Sequence, residues 1–140
     1  MKNKTPQIYL GVDWGKAKIG LAIGDDFTQV AVPFKVVKTA AELIKIIKQE
    51  KIDRIVIGQP VSMSGGRAHS IAPFENFLAA LKKTVKEPIE LVDERLTSKL
   101  ADRLRQQGGG GRGRKGMADQ DAVAAMLILE AYFTQHISDE

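Results

Sequence analysis

The order of the predicted secondary-structure elements indicates an α/β fold with one mixed β-sheet and helices on both of its faces. Three consecutive stretches have strand character before any helix, and from there helices and strands alternate. This order is typical of a sheet that begins as an antiparallel meander and continues with parallel strands. The sequence shows no internal repeat and no interdomain linker, so residues 1–140 are expected to form a single domain.

The first three strands are predicted from the alternation of apolar side chains. Residues 7–13 and 18–24 both alternate, and a short Gly-Lys turn joins them, which favours a hairpin. Residues 29–37 have the composition of a third strand. Because Pro33 has no N–H to donate to a neighbour, this strand is expected at an edge of the sheet.

Helix and strand signals then alternate along the chain. Residues 40–50 place Leu43, Ile44 and Ile47 on one helical face. Residues 54–58 are almost entirely apolar, as in strands of parallel sheets that are covered on both faces. A polar, glycine-rich loop is expected to follow.

The second half of the chain is predicted to end in helices. A helix over residues 73–85 is followed by a short strand over residues 89–93. Thr97 is placed to cap a further helix, and residues 108–116 read as a flexible basic loop. The last helix is expected from near Asp119 to about His136.

Composition excludes several classes of protein and site. The chain has no cysteine, which excludes disulfides and thiolate metal sites, and its two histidines are far apart, which disfavours zinc. The longest apolar run, Ala122–Leu129, is too short for a bilayer, which requires about 20 residues. The N-terminus has no signal-peptide pattern. We therefore expect a cytoplasmic protein that does not enter a membrane.

Positive charge is concentrated in one part of the chain. The formal net charge is +4, which favours an anionic partner. Between residues 95 and 116 the only acid is Asp102. The basic residues of this segment are Arg95, Lys99, Arg103, Arg105, Arg112, Arg114 and Lys115.

A few carboxylates stand at the ends of predicted elements. Asp13 ends the first strand, Asp93 and Glu94 end the last one, and Asp121 opens the final helix. Ligands of open α/β sheets bind beyond the carboxyl ends of the strands, so these acids are expected at one edge. Clustered carboxylates repel one another unless a cation lies between them, and Mg²⁺ prefers oxygen ligands. Two such ions about 4 Å apart can promote phosphodiester cleavage. On this interpretation the glycines beside Asp13, Gly11 and Gly15, leave room for a phosphate backbone.

Each of these residues also has an ordinary explanation. Asp13 could be a turn residue, Asp93 and Glu94 a solvated strand end, and Asp121 a favourable partner of the helix dipole. The basic run could be a solvated surface. If the strand over residues 54–58 lies between the first and last strands, two strand spacings separate Asp13 from Glu94 by roughly 10 Å at the backbone. Glu94 is favoured over Asp93 as a ligand because it is longer and because strand alternation turns Asp93 to the opposite face.

Four segments together resemble the YqgF (RuvX-like) family, proposed nucleases with a ribonuclease-H-like fold related to the RuvC resolvases. The segments are LGVDWGKAKIGLAIGD, RIVIGQPVSMSG, LVDERLTS and DAVAAMLILEAY, and the resemblance extends from about Ile8 to Phe133. This sequence departs from the family pattern at Gln59 and in the glycines of the 108–116 loop.

The resemblance implies a ribonuclease-H-like three-layer fold with a five-stranded mixed sheet whose first three strands are antiparallel. It also implies catalysis by Asp13, Glu94 and Asp121, which would bind Mg²⁺ or Mn²⁺, with two ions expected when substrate is bound. Asp93 is the alternative to Glu94. Substrate phosphates are expected to contact Lys16, Arg67, Arg95, Thr97, Arg112, Arg114 and Lys115.

Three functions remain in competition at this point. The first is a metal-dependent endonuclease acting on nucleic acid, either the 5′ end of the small-subunit ribosomal RNA precursor or branched DNA. The second is an ATPase of the actin-like or sugar-kinase type, which needs two such domains where this chain has length for one. The third is a non-catalytic RNA-binding factor of ribosome assembly. A monomer or weak homodimer is expected, and the ribosome is a possible partner.

Overall fold

The protein is built on one five-stranded sheet with three helices in the part of the chain that the structure describes. The computed structural model describes residues 5–60, 68–94 and 120–136. The strands are β1 (Ile8–Trp14), β2 (Ile19–Asp25), β3 (Ala31–Val37), β4 (Arg54–Gln59) and β5 (Ile89–Asp93). The helices are α1 (Ala40–Gln49), α2 (Ala68–Thr84) and α3 (Gln120–His136).

The sheet is mixed, with the strand order β3-β2-β1-β4-β5. β2 is antiparallel to both β1 and β3, whereas β4 is parallel to both β1 and β5. The predictions of an antiparallel start and of a hairpin between the first two strands are confirmed. β3, which contains Pro33, lies at an edge as predicted, and β4 separates β1 from β5.

Helices cover both faces of the sheet. Along β1, Leu10 and Val12 belong to one buried core together with Leu43 of α1 and Phe74 of α2. The alternate residue Tyr9 packs in a second core that includes Leu129 and Phe133 of α3. The two-residue repeat of the strands therefore divides their side chains between two helical layers. We refer below to the α1/α2 face and the α3 face.

The start of α1 is fixed by a capping box. The hydroxyl of Thr39 accepts a hydrogen bond from the Glu42 N–H at 3.1 Å. The Glu42 carboxylate accepts one from the Thr39 N–H at 3.3 Å and one from the Lys38 N–H at 2.7 Å. These hydrogen bonds to the ionised carboxylate lower the pKa of Glu42. Donors that a helix start leaves without partners are thereby satisfied, and the helix begins where the sequence predicts.

Two predicted boundaries are wrong. α2 begins at Ala68 rather than at residue 73, so Pro73 lies inside the helix. Proline costs one backbone hydrogen bond there, and the burial of Phe74 and Leu81 against the sheet offsets that loss. β3 begins at Ala31 rather than at residue 29, because Gln29 has a φ of 59° and the chain is still turning at that point.

Some sequence predictions fall outside the described residues. The helix predicted after Thr97, the loop over 108–116 and the N-cap at Asp119 are among them. Among the helices in the described part of the chain, none is both long and apolar enough to span a bilayer.

Candidate metal-dependent active site

The first turn of α3 lies directly against the sheet because β1 and β2 carry glycines at the contact. A Cβ atom on Gly20 would stand 1.9 Å from the backbone oxygen of Asp121. A Cβ atom on Gly11 would stand 2.7 Å from the backbone oxygen of Ala125. The interpretation of Gly11 as space for a phosphate backbone is therefore wrong, since α3 occupies that space.

This packing brings the two ends of the chain together. Asp13 of β1 pairs with Gly20 of β2, the same glycine that Asp121 covers. Leu10 and Val12 face α1 and α2, so alternation turns Asp13 toward α3. Asp13 and Asp121 therefore lie on the same face and at the same edge of the sheet.

Glu94 reaches this edge from the other side of β4. Its N–H donates to the backbone oxygen of Gln59 at 3.3 Å, which places it beside the end of β4. Its Cβ lies 3.8 Å from the position of a Cβ on Gly58, and the same position would contact Ile128 of α3. Glu94 is thus on the α3 face, and Ile128 of α3 occupies the position that a side chain on Gly58 would take, 2.5 Å from its Cβ.

Asp93 is directed differently. Val92 packs in the core beneath α3, so strand alternation sends Asp93 to the α1/α2 face. Its charge still acts on Glu94, where it is the second cause of a raised pKa after burial. This arrangement favours Glu94 over Asp93 as the acid that faces Asp13 and Asp121.

The charges of Glu94 and Asp121 both act on the carboxyl group of Asp13. Burial raises the pKa of Asp13 to about 6, with further contributions from the negative charges of Glu94 and Asp121. Each of these causes disfavours the ionised form. A carboxylate held at the end of a strand under these conditions is typical of functional sites, where a cation compensates the charge.

The cluster includes a lysine that the sequence analysis did not identify. The ammonium of Lys18 lies 3.2 Å from a carboxylate oxygen of Asp121. Lys16, which was predicted to bind substrate, is exposed in the turn between β1 and β2 and so lies at the same edge. No local signal distinguishes these two lysines, because the contact of Lys18 depends on the distant helix α3.

The donor set suits a hard divalent cation. All three side chains offer carboxylate oxygens, which Mg²⁺ and Mn²⁺ prefer. Within residues 5–60, 68–94 and 120–136, no three acidic, histidine or cysteine side chains lie close enough together to hold one ion as they stand. The residues therefore fit the metal by their chemistry, and their role as ligands stays a prediction.

The other residues predicted to bind substrate cannot be placed. Those that lie outside the described residues are Arg67, Arg95, Thr97, Arg112, Arg114 and Lys115.

Comparison with known proteins identifies the family. Residues 7–135 match the RuvX family, which is described as Holliday junction resolvase. The chain belongs to the RuvX family. This confirms the resemblance seen in the four sequence segments.

Relatives within the RuvX family are similar along most of their length. A protein of Maridesulfovibrio salexigens is 39% identical over 133 residues, which cover 90% of this chain and 97% of that protein. One from Rickettsia bellii is 38% identical over 127 residues, covering 86% of this chain and 82% of the relative. Both are named "Putative pre-16S rRNA nuclease".

Solved structures show the same fold. Thermus thermophilus RuvC superposes with a TM-score of 0.59 at 12% identity, covering 94% of this chain and 97% of RuvC. RuvC of T. thermophilus in complex with Holliday junction substrate gives a TM-score of 0.60 at 15% identity, with coverage of 94% and 96%. The predicted ribonuclease-H-like fold, with its five-stranded mixed sheet, is confirmed.

Proposed function

We propose that this RuvX-family protein is a Mg²⁺- or Mn²⁺-dependent endonuclease of the cytoplasm that processes the 5′ end of the small-subunit ribosomal RNA precursor. The names of relatives that share more than a third of their residues with this chain support the substrate. The RuvC-like fold and the acidic edge of the sheet support the chemistry.

One observation carries the proposal. Asp13, Glu94 and Asp121 come from three distant parts of the chain, and burial together with the charges of the latter two raises the pKa of Asp13. Such repulsion costs free energy in the folded protein at neutral pH, and a bound cation would relieve it without protonating the carboxylates.

The three residues would hold the metal at the edge of the sheet with different degrees of freedom. Asp13 is fixed by the ladder of β1, and Asp121 by the contact of α3 with Gly20. Glu94 follows the last residue of β5 and has the longest side chain of the three. When bound by these residues, Mg²⁺ would supply an activated water and would stabilise the developing negative charge on phosphate oxygens. Lys16, which is exposed at the same edge, would bind a neighbouring phosphate of the substrate.

The test compares single amide variants of the three acids. Asp13→Asn, Glu94→Gln and Asp121→Asn should each reduce Mg²⁺-dependent cleavage of an RNA that contains the 5′ extension of the precursor, by at least about 100-fold. Glu130→Gln is the matched control. Glu130 is also on α3 and its pKa is raised by burial alone, with no neighbouring acid contributing. This variant should cleave at the rate of the unmodified protein.

Two results would contradict the proposal. The first is undiminished cleavage by Asp13→Asn. The second is tight RNA binding without turnover under any divalent metal, which would favour the non-catalytic assembly factor.

The family description also makes branched DNA a second candidate substrate. A four-way DNA junction assayed beside the RNA, with the same variants, decides between the two by the ratio of cleavage rates.

A further inference from the structure

Lys18 brings a positive charge next to the acidic edge formed by Asp13, Glu94 and Asp121. Its ammonium lies 3.2 Å from Asp121, with 50% of the Lys18 side chain and 36% of the Asp121 side chain exposed. Both partners are therefore partly accessible, and an ion from solution can reach the pair.

The backbone around Lys18 holds it at this position. The Gly15 N–H donates to the Lys18 carbonyl oxygen at 3.0 Å and closes the turn between β1 and β2. Trp14 and Ile19 form the adjacent pair of the ladder. Lys18 and Gly20 are two residues apart, so alternation directs both toward α3, and Gly20 contacts Asp121.

The charge of Lys18 has a particular consequence at this point. Asp121 contributes to the negative potential at Asp13, and the ammonium opposes that potential. A divalent cation that uses the oxygens of Asp121 would be repelled by an ammonium at hydrogen-bonding distance from the same carboxylate. The ammonium and a divalent cation therefore compete for the carboxylate of Asp121.

We propose that Lys18 is a built-in counter-ion of Asp121, a positioning residue whose ammonium a divalent cation must displace when it binds at the acidic edge. The inference rests on the proposed metal site. It adds that Lys18, in the turn between β1 and β2, lowers the affinity of that site for a divalent cation as long as its ammonium stays on Asp121. The ammonium so released stays at the edge where substrate phosphates are expected.

The experiment measures Mn²⁺ binding by isothermal titration calorimetry, in the full-length protein without nucleic acid. Lys18→Ala should bind Mn²⁺ about two- to fivefold more tightly, as expected for removal of a partly exposed charge pair. Lys18→Arg should restore the affinity of the unmodified protein. Lys16→Ala is the matched control, because it removes the same charge from the same turn while Lys16 makes no ion pair with the residues that the structure describes. It should change the affinity less than Lys18→Ala does.

Asp121→Asn separates the failure of this inference from that of the metal site. If Lys18 acts through Asp121, Lys18→Ala should have no effect in the Asp121→Asn background. Equal effects of Lys18→Ala and Lys16→Ala, or weaker Mn²⁺ binding by Lys18→Ala, would overturn the counter-ion role and leave the metal site standing. Unchanged Mn²⁺ binding by both Asp121→Asn and Asp13→Asn would instead overturn the metal site itself.

Discussion

A single methyl group at Gly20 should separate Asp121 from Asp13. The Cβ of Gly20→Ala would stand 1.9 Å from the backbone oxygen of Asp121 and 2.3 Å from its carbonyl carbon. Both of the close contacts are with backbone, so no side-chain rotation relieves them. Either α3 moves away from β2 or the strand itself bends.

The size of the effect follows from the distances. An ordinary contact needs about 3.4 Å, so the start of α3 must shift by roughly 1.5 Å, a degree of overpacking that costs about 3 kcal/mol. For a chain of this length that loss lowers the melting temperature by about 10 °C. A shift of this size at a catalytic group can reduce cleavage about 100-fold.

Gly24→Ala provides the control for stability alone. Its Cβ would stand 2.5 Å from the Val30 oxygen and 3.2 Å from the Phe133 ring. The variant is therefore strained at the end of β2 that lies away from Asp13 and Asp121. Thermal unfolding should show losses in both variants, whereas cleavage and Mn²⁺ affinity at 20 °C should fall only in Gly20→Ala. If Gly20→Ala melts at the unmodified temperature and cleaves normally, α3 does not lie against β2 as described.

Two further variants test the electrostatics and a helix start. Because the pKa of Asp13 is raised from 3.8 to about 6, the folded state binds more protons than the unfolded state between these values, and stability falls as pH rises through them. With a chelator present to remove divalent metal, Asp13→Asn should therefore raise the free energy of unfolding by roughly 1–2 kcal/mol at pH 7.5 and leave it unchanged at pH 3.5. Urea unfolding at the two pH values measures this difference. A lower free energy of unfolding at pH 7.5 would contradict the raised pKa. Thr39→Ala removes the hydroxyl that caps α1 and should cost about 1 kcal/mol without changing cleavage. Equal stability of Thr39→Ala and the unmodified protein in urea would show that the capping box contributes nothing.

The layout of the sheet was predictable because it follows from local periodicity. Alternating residues mark β1 and β2, Pro33 marks an edge, and the apolar β4 marks a strand covered on both faces. The acids at strand ends could also be recognised as candidate site residues, since parallel strands bring their carboxyl ends to one edge of the sheet.

The remaining features depend on contacts between distant parts of the chain. Gly11 beside a carboxylate suggested space for a ligand, and only the packing of α3 shows that a helix fills it. Lys16 and Lys18 are equivalent in sequence, and only the position of Asp121 distinguishes them. The start of α2 was misplaced because the apolar pattern that predicted the helix begins at Phe74, whereas the helix itself begins at Ala68 and contains Pro73.

The packing of α3 against Gly11 and Gly20 of the β1–β2 hairpin also determines when the acidic edge forms during folding. β1 is synthesised first, whereas the segment that carries Asp121 follows all five strands of the sheet. A nascent chain that ends before Gln120 has Asp13 and Glu94 but neither the third acid nor the layer that buries the back of the sheet. The acidic edge is therefore complete only once α3 has packed against the sheet.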